Sequence, residues 1–170
     1  METEVYKGNI IRVTEEKIGE TVWERAYVPH GVIIFPITDE GKILLIEEKR
    51  PHESPPYRLK PVSGILEYEK GSPEENAQRE MQEEIGFMAQ KMELILMLQG
   101  TGTINHTQYF YLAENLKPSK LPNPDGEDTI LAIKAFTSQE LKEMLQKEEI
   151  RWSMSTLGLF RLFETLEQRS

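Results

Sequence analysis

Five carboxylates and a single positive charge lie between residues 74 and 84 of this 170-residue chain. Glu80, Glu83 and Glu84 take positions i, i+3 and i+4 of a predicted helix, where Cβ atoms lie about 5–6 Å apart and each like-charged pair costs about 0.2–0.5 kcal/mol. A bound divalent cation would offset that repulsion. Carboxylate oxygens without cysteine or histidine favour a hard ion, Mg²⁺ with Mn²⁺ as a substitute, over zinc. A solvated acidic face on a surface helix is the alternative interpretation.

The helix itself is predicted by signals at both of its ends. Ser72 is a typical N-cap residue, Pro73 suits the first helical position and Glu75 completes a capping box. Gly86 is a typical helix stop. The side chains expected to face the core recur at every fourth position and are Ala77, Met81 and Ile85. The three clustered glutamates lie off that apolar stripe.

Two segments resemble the signature of a known family. Residues 79–87 read Arg-Glu-Met-Gln-Glu-Glu-Ile-Gly-Phe. They match every fixed position in the second half of the Nudix box, whose form is Gly, five residues, Glu, seven residues, Arg-Glu-apolar-any-Glu-Glu-any-Gly-apolar. Residues 61–64, Pro-Val-Ser-Gly, resemble the Pro-Ala-Gly that opens the box in the ADP-ribose pyrophosphatase branch. The chain is therefore similar to the Nudix hydrolases of that branch.

The first half of the box departs from the family form at two positions. The box glutamate is expected at position 71, where this chain has Gly71, and the box glycine is expected at position 65, whereas Gly64 comes one residue early. The loop has therefore gained one residue. In the family that glutamate braces the box arginine, so we expect Glu69 to replace it by turning back towards Arg79.

The resemblance implies a role for each charged residue of the box. Glu80 and Glu84 would be direct Mg²⁺ ligands, Glu83 a direct or water-mediated ligand, and the carbonyl of Ser63 a further oxygen ligand. Arg79 would orient the glutamates. A simple salt bridge with Arg79 is the alternative role for Glu83.

Further charged residues are candidates for the general base and the substrate contacts. The branch takes its base from a glutamate on a late loop, where Glu127 stands with Asp128 as its neighbour; a solvated turn is the alternative there. Arg50 resembles an arginine that contacts the substrate. Apart from the resemblance, the basic residues just upstream of the box would add positive charge around the diphosphate, and these are Lys49, Arg50, Arg58 and Lys60.

The implied reaction is Mg²⁺-dependent hydrolysis of a nucleoside diphosphate linked to another moiety, giving a nucleoside monophosphate and a sugar phosphate. The substrate would be ADP-ribose or another nucleoside diphosphate sugar. Thr101 stands where ADP-ribose pyrophosphatases tend to carry a proline, so both choices stay open. A non-hydrolytic Nudix-like module that binds a nucleotide or sugar is the alternative, because of Gly71 and the longer loop. The three clustered glutamates argue against it.

Composition excludes several classes of protein. The formal net charge of −9 argues against a nucleic-acid binder that neutralises many phosphates. The absence of cysteine excludes disulfide scaffolds and cysteine-ligated zinc. The acidic start of the chain does not resemble a signal peptide, and no apolar run approaches about 18 residues. We therefore expect a soluble, cytoplasmic protein that has no membrane contact. The small-molecule nucleotide partner is what the resemblance implies.

Alternation of apolar and polar residues predicts the remaining elements. An N-terminal antiparallel hairpin is expected from residues 4–13 and 21–28 with a turn at 15–20, and a second hairpin from 32–37 and 42–47. The first strand of this second hairpin should lie in the middle of a sheet. Further strands are expected at 92–98, 108–113 and 130–136, a long loop at 116–128, and helices at 137–147 and 153–168, the last with Leu157, Phe160 and Phe163 facing inward.

This order predicts an α+β fold in which a mixed sheet lies between helices, and it resembles the Nudix α/β/α sandwich. Residues 29–170 would form the Nudix domain. Residues 1–28 would form an N-terminal hairpin that, by the same resemblance, makes the protein a homodimer. Trp23 in that hairpin is then as suited to an interface as to a core.

Overall fold

The computed structural model describes residues 1–123 and 129–169. These residues hold eleven strands, three α-helices and a 3₁₀ turn over Tyr68–Lys70. The strands are β1 Thr3–Lys7, β2 Arg12–Ile18, β3 Thr21–Tyr27, β4 Gly31–Pro36, β5 Ile43–Lys49, β6 Tyr57–Lys60, β7 Val62–Ile65, β8 Phe87–Gln99, β9 Ile104–Asn105, β10 Thr107–Pro118 and β11 Ile130–Phe136. The helices are α1 Pro73–Glu84, α2 Ser138–Gln146 and α3 Ser153–Glu167. None of these helices has the length and apolar character needed to cross a membrane.

The strands form three sheets, in the orders β1-β2-β3-β9, β7-β4-β10-β8 and β11-β5-β6. In the central sheet, β4 runs parallel to β10 and antiparallel to β7. Strand β4 is buried along its whole length, as predicted for a strand in the middle of a sheet. Because successive side chains of a strand point to opposite faces, β4 contributes to two separate cores.

Helices cover both faces of the central sheet. Val32 and Ile34 pack in one core with Met81 of α1, and Ile33 and Phe35 pack in the other with α2 and α3. The members of the second core from α2 and α3 are Leu141, Leu159, Leu162 and Phe163. The predicted α/β/α sandwich with a mixed sheet is therefore confirmed.

The predicted hairpin of β4 and β5 is wrong in its pairing, although both strands exist. Strand β5 pairs with β11 and β6 in another sheet, and only an isolated bridge between Ile37 and Ile43 links the two segments. The first four residues of β5 are buried, as is all of β4. Strand β4 lies between β7 and β10, and β5 lies between β6 and β11, so the two strands do not pair with each other.

An N-terminal antiparallel hairpin is present, but its first strand and its turn differ from the prediction. The predicted strand 4–13 is divided between β1 and β2, and the hairpin is formed by β2 and β3. Residues 15–18 belong to β2 and pair with β3, so that Glu15 faces Glu24 and Ile18 faces Thr21. The turn at residues 19–20 uses Gly19 with a positive φ of 63°, which glycine adopts at little cost. Trp23 is 56% exposed in β3, so it does not belong to the core of this chain.

Helix α3 begins close to the predicted residue but presents a different face to the sheet. Phe163 is buried as expected, whereas Leu157 and Phe160 are exposed. The reason is Gly158, because a Cβ there would come within 2.7 Å of Phe35 and 2.8 Å of Phe110. The glycine lets the helix approach the sheet closely on that side, and the two large apolar residues beside it point outward.

Candidate active site

Helix α1 is fixed at its start by the predicted capping box. The Ser72 hydroxyl accepts the Glu75 N–H at 3.2 Å, and the Glu75 carboxylate accepts the Ser72 N–H at 2.7 Å. Ala77, Met81 and Ile85 are buried in the core on this face of the sheet. The apolar stripe therefore sets the rotation of the helix and turns Glu80 and Glu84 towards β7.

Glu80 lies directly over Gly64 of β7. A Cβ at position 64 would overlap the Glu80 carboxyl group, so only glycine leaves room for this contact. Burial raises the pKa of Glu80 to about 7, repulsion from Glu84 and Glu83 adds to the rise, and Arg79 and Lys60 partly oppose it. A cation beside this carboxyl group would remove the cost of ionising it.

Glu84 lies deeper, against the next residue of the same strand. Its Oε2 accepts the Ser63 N–H at 3.2 Å, and its Oε1 lies 3.6 Å from Lys60 Nζ. Burial raises the pKa of Glu84, and Lys60 and the Ser63 N–H oppose the rise. The two glutamates predicted as metal ligands thus meet Ser63 and Gly64, and the structure brings these four residues together.

A further carboxylate, Glu48 of β5, reaches the same place. Its Oε1 lies 3.4 Å from Lys60 Nζ, and its Oε2 lies 2.5 Å from an Arg50 nitrogen. That Oε2 atom is buried and has no partner with hydrogen-bond geometry. Sequence reasoning missed Glu48. The available signal was its position after the apolar run of β5, on the same side of the strand as buried Ile46.

Arg79 is held by Asn76 and lies near two glutamates. Its Nη2 donates to Asn76 Oδ1 at 2.5 Å, and its side chain lies 3.9 Å from Glu67 and 4.0 Å from Glu83. The contact with Glu83 matches the salt bridge considered from the sequence. The 4.0 Å separation is long for such a pair, so Glu83 keeps carboxylate oxygens for other contacts.

The expectation that Glu69 braces Arg79 is wrong. Glu69 is exposed in the 3₁₀ turn and makes no ion pair among the residues that the structure describes. Glu67 is the carboxylate that lies near Arg79 instead, at 3.9 Å, although it pairs more closely with Lys70 at 2.7 Å. Its backbone is fixed by Asn76, whose Oδ1 accepts the Glu67 N–H at 3.0 Å and whose Nδ2 donates to the Glu67 carbonyl at 3.2 Å. The turn directs the side chain two residues later into solvent.

The remaining candidates lie away from this cluster or outside the described residues. Arg58 pairs with Glu53 and lies 5.5 Å over the Trp152 ring, and its contacts do not include the glutamates of α1. Glu127 and its neighbour Asp128 lie outside the described residues. A cavity of about 610 Å³ borders Arg58 and Trp152, and another of about 730 Å³ borders Phe160 and Phe163. Neither cavity is lined by a glutamate of α1.

The donor chemistry of the cluster fits a hard divalent cation. Glu48, Glu80 and Glu84 supply carboxylate oxygens, which Mg²⁺ and Mn²⁺ prefer, and the buried Glu48 Oε2 lacks a hydrogen bond. Within residues 1–123 and 129–169, no three acidic, histidine or cysteine residues already converge on a single point suited to a metal ion. Binding would therefore draw the glutamate side chains together.

Comparison with known proteins gives one family and several relatives. The family model of the NUDIX domain matches residues 28–156. An ADP-ribose pyrophosphatase of Bacillus subtilis (strain 168) is 25% identical over 155 residues, covering 86% of this chain and 82% of the relative. A methanol dehydrogenase activator of Bacillus methanolicus is 27% identical over 179 residues, covering 98% and 93%. A solved structure described as an ADP compounds hydrolase has a TM-score of 0.85 at 21% identity, covering 100% of this chain and 94% of that one.

Proposed function

Because the chain belongs to the Nudix family and is a Nudix hydrolase, we propose that it hydrolyses the diphosphate of a nucleoside diphosphate linked to another moiety in a Mg²⁺-dependent reaction. ADP-ribose or another nucleoside diphosphate sugar is the substrate, and a nucleoside monophosphate and a sugar phosphate are the products. Mn²⁺ can substitute for Mg²⁺. The observation that carries this proposal is the meeting of Glu80 and Glu84 with Gly64 and Ser63.

In this proposal the residues of α1 and β7 hold the metal. Glu80 and Glu84 are direct ligands, Glu83 binds directly or through water, and the Ser63 carbonyl adds an oxygen. A bound divalent ion would polarise the diphosphate and lower the pKa of the attacking water. The raised pKa of Glu80 supports this assignment, since burial, and after it repulsion from Glu84 and Glu83, makes the carboxylate costly to ionise, and a cation would offset that cost.

The other side chains of the site position these ligands and the substrate. Arg79, held between Asn76 and Glu67, orients the glutamates through its charge near Glu83. Arg50, beside Glu48, is proposed to contact the diphosphate. Arg58, which pairs with Glu53 away from the glutamates of α1, is proposed as a second substrate contact. Glu127, with Asp128 as its alternative, is proposed to accept the proton of the attacking water.

The names of two similar proteins support the substrate class. One relative is an ADP-ribose pyrophosphatase and one structural neighbour is an ADP compounds hydrolase. Both names describe enzymes that act on a nucleotide containing a diphosphate. Thr101 at the position where ADP-ribose pyrophosphatases tend to carry proline keeps other nucleoside diphosphate sugars within the proposal.

We also propose a cytoplasmic homodimer in which residues 1–28 form the dimerisation element and residues 29–170 the catalytic domain. The support is the apolar surface of the N-terminal sheet, where Val22 and Trp23 are both more than half exposed. Scattered exposed apolar residues are common. Val22 and Trp23 point to opposite faces of the sheet, because successive side chains of a strand alternate. Ile18 is also more than half exposed, and it lies on the same face as Trp23 because it pairs with Thr21, two residues before Trp23.

A coupled assay tests the proposed reaction. The full-length protein would be incubated with ADP-ribose, other nucleoside diphosphate sugars and dinucleotides in Mg²⁺, in Mn²⁺ and with a chelator. A phosphatase would then release phosphate from the monoester products. We expect release with at least one nucleoside diphosphate sugar that needs the metal and is lost in Glu84→Gln but kept in the exposed control Glu69→Gln. Tight binding of such a sugar without any release would instead favour the non-hydrolytic module.

A further inference from the structure

Lys60 is a lysine buried at the centre of an acidic cluster. It is the last residue of β6, and its side chain is only 3% exposed. Its Nζ lies 2.8 Å from Ser63 Oγ, 3.4 Å from Glu48 Oε1 and 3.6 Å from Glu84 Oε1. An ammonium group has three donors, and three oxygens surround this one. Because lysine is almost never buried without partners, these contacts define a built cation position.

The cationic partners of the glutamates are distributed unevenly around the site. Within the described residues, Glu80 is the glutamate of the cluster that has no lysine or arginine nitrogen within 4.0 Å. The glutamates that do lie within 4.0 Å of a lysine or arginine nitrogen are Glu48, Glu67, Glu83 and Glu84. Among the described residues Glu80 therefore has no cationic nitrogen within 4.0 Å, while the space between Glu48 and Glu84 already contains a cation.

We propose that Lys60 takes the place of one divalent ion. An ion bridging Glu48 and Glu84 would have to lie where the ammonium group lies, because the near oxygens of both carboxylates face it at 3.4 and 3.6 Å. Hydrolases with two metals hold the ions about 3.5–4 Å apart through shared ligands. Here the Lys60 ammonium group fills one of the two positions. The ligand-free protein consequently binds one divalent ion, beside Glu80.

This inference rests on the metal dependence in the proposed function, but a count of bound ions tests it without substrate. Mn²⁺ binding would be measured by equilibrium dialysis for the wild-type protein, Lys60→Met, the charge-balanced double variant Glu48→Gln with Lys60→Met, and the control Lys91→Met. Lys91 is an exposed lysine that pairs with Glu114, so this control removes an ion pair that includes no glutamate of the cluster.

The expected counts follow from the charge balance. Wild-type protein and Lys91→Met bind about one Mn²⁺ per chain, Lys60→Met binds about two, and the double variant returns to about one. We also expect Mn²⁺ to raise the thermal midpoint of Lys60→Met more than that of the wild type, because the added ion replaces the lost ammonium charge. A purely structural salt bridge would leave the count unchanged.

Two results would overturn the inference. One is a wild-type count of about two ions of similar affinity, which needs no variant and holds even if Lys60→Met does not fold. The other is an unchanged count in a folded Lys60→Met. The proposed function fails separately. A protein that binds about one Mn²⁺ and hydrolyses no nucleoside diphosphate derivative refutes the reaction but not the role of Lys60. An active enzyme that binds about two Mn²⁺ refutes the role of Lys60 but not the reaction.

Discussion

Arg79 donates to the side-chain oxygen of Asn76 at 2.5 Å, one turn earlier on α1. Asn76 is fully buried, and its amide also bonds the backbone of the preceding loop. Its Oδ1 accepts the Glu67 N–H, and its Nδ2 donates to the carbonyls of Glu67, Gly71 and Ser72. One buried amide therefore connects the box arginine to the irregular loop, which explains how the site keeps its shape although position 71 lacks a carboxylate.

Glu67→Ala should reduce turnover about tenfold or more, whereas Glu69→Ala should leave it unchanged. Removing the Glu67 carboxylate takes away a charge that lies 3.9 Å from Arg79, and loss of such a supporting group typically costs about 10–100-fold. The Asn76 bonds to the Glu67 backbone remain, so the thermal midpoint should change little. Steady-state kinetics on both variants makes the comparison, and a silent Glu67→Ala would show that Asn76 alone fixes the arginine.

Gly71→Glu, which restores the family residue, should destabilise the protein and should not raise activity. Gly71 has a φ of +126°, a conformation that costs other residues about 1–3 kcal/mol. A Cβ there would also come within 2.6 Å of the Glu75 carboxylate, which caps α1. Gly41→Ala is the matched control, because Gly41 has a φ of +76° and no neighbour within 4 Å. Urea unfolding should show a larger loss for Gly71→Glu, and an equal loss would exclude the clash.

Local signals predicted α1 well because its cap, its first proline and its apolar stripe all lie within the helix. The roles of Glu67, Glu48 and Lys60 were not predictable in the same way. Glu67 depends on the 3₁₀ turn that directs Glu69 outward, and Glu48 meets Lys60 only through the pairing of β5 with β6. The same limit explains the wrong pairing of β4 with β5, since a short turn predicts a hairpin but does not reveal competing partners distant in the sequence.

Glu84→Gln should lower turnover at least about a hundredfold with the fold preserved, because it removes a metal-binding charge while barely changing shape. The Ser63 N–H can still donate to the amide oxygen, and Lys60 keeps Glu48 as its partner. Turnover at saturating Mg²⁺ and Mn²⁺ affinity would be measured together, with Glu69→Gln as the exposed control. Near-normal turnover with unchanged metal affinity would remove Glu84 from the site.

Deletion of residues 1–28 should convert a dimer into monomers or aggregate. These residues form β1–β3 and carry the exposed Ile18 and Trp23 on one face of the sheet, which a partner subunit would cover. Trp23→Ser should weaken the dimer without unfolding the chain, because its side chain is outside the core. Light scattering at micromolar concentration reports the mass of each form. A full-length protein that runs as a monomer would contradict the proposed dimer.

In metal-free protein, Glu80→Gln should raise stability at pH 8 and have little effect at pH 5. Burial and neighbouring carboxylates raise the pKa of Glu80 from 4.5 to about 7, so folded protein keeps a proton that unfolded protein releases between these values. Stability therefore falls as pH rises from about 4.5 to about 7, by up to about 3 kcal/mol at 1.36 kcal/mol per pKa unit. Glutamine has no proton to lose in this range and avoids this loss of stability.

Urea unfolding with a chelator at both pH values measures the difference, and added Mg²⁺ at pH 8 should stabilise the wild type more than the variant. An equal effect of the substitution at pH 5 and pH 8 would show that Glu80 does not carry the repulsion that a bound cation would relieve.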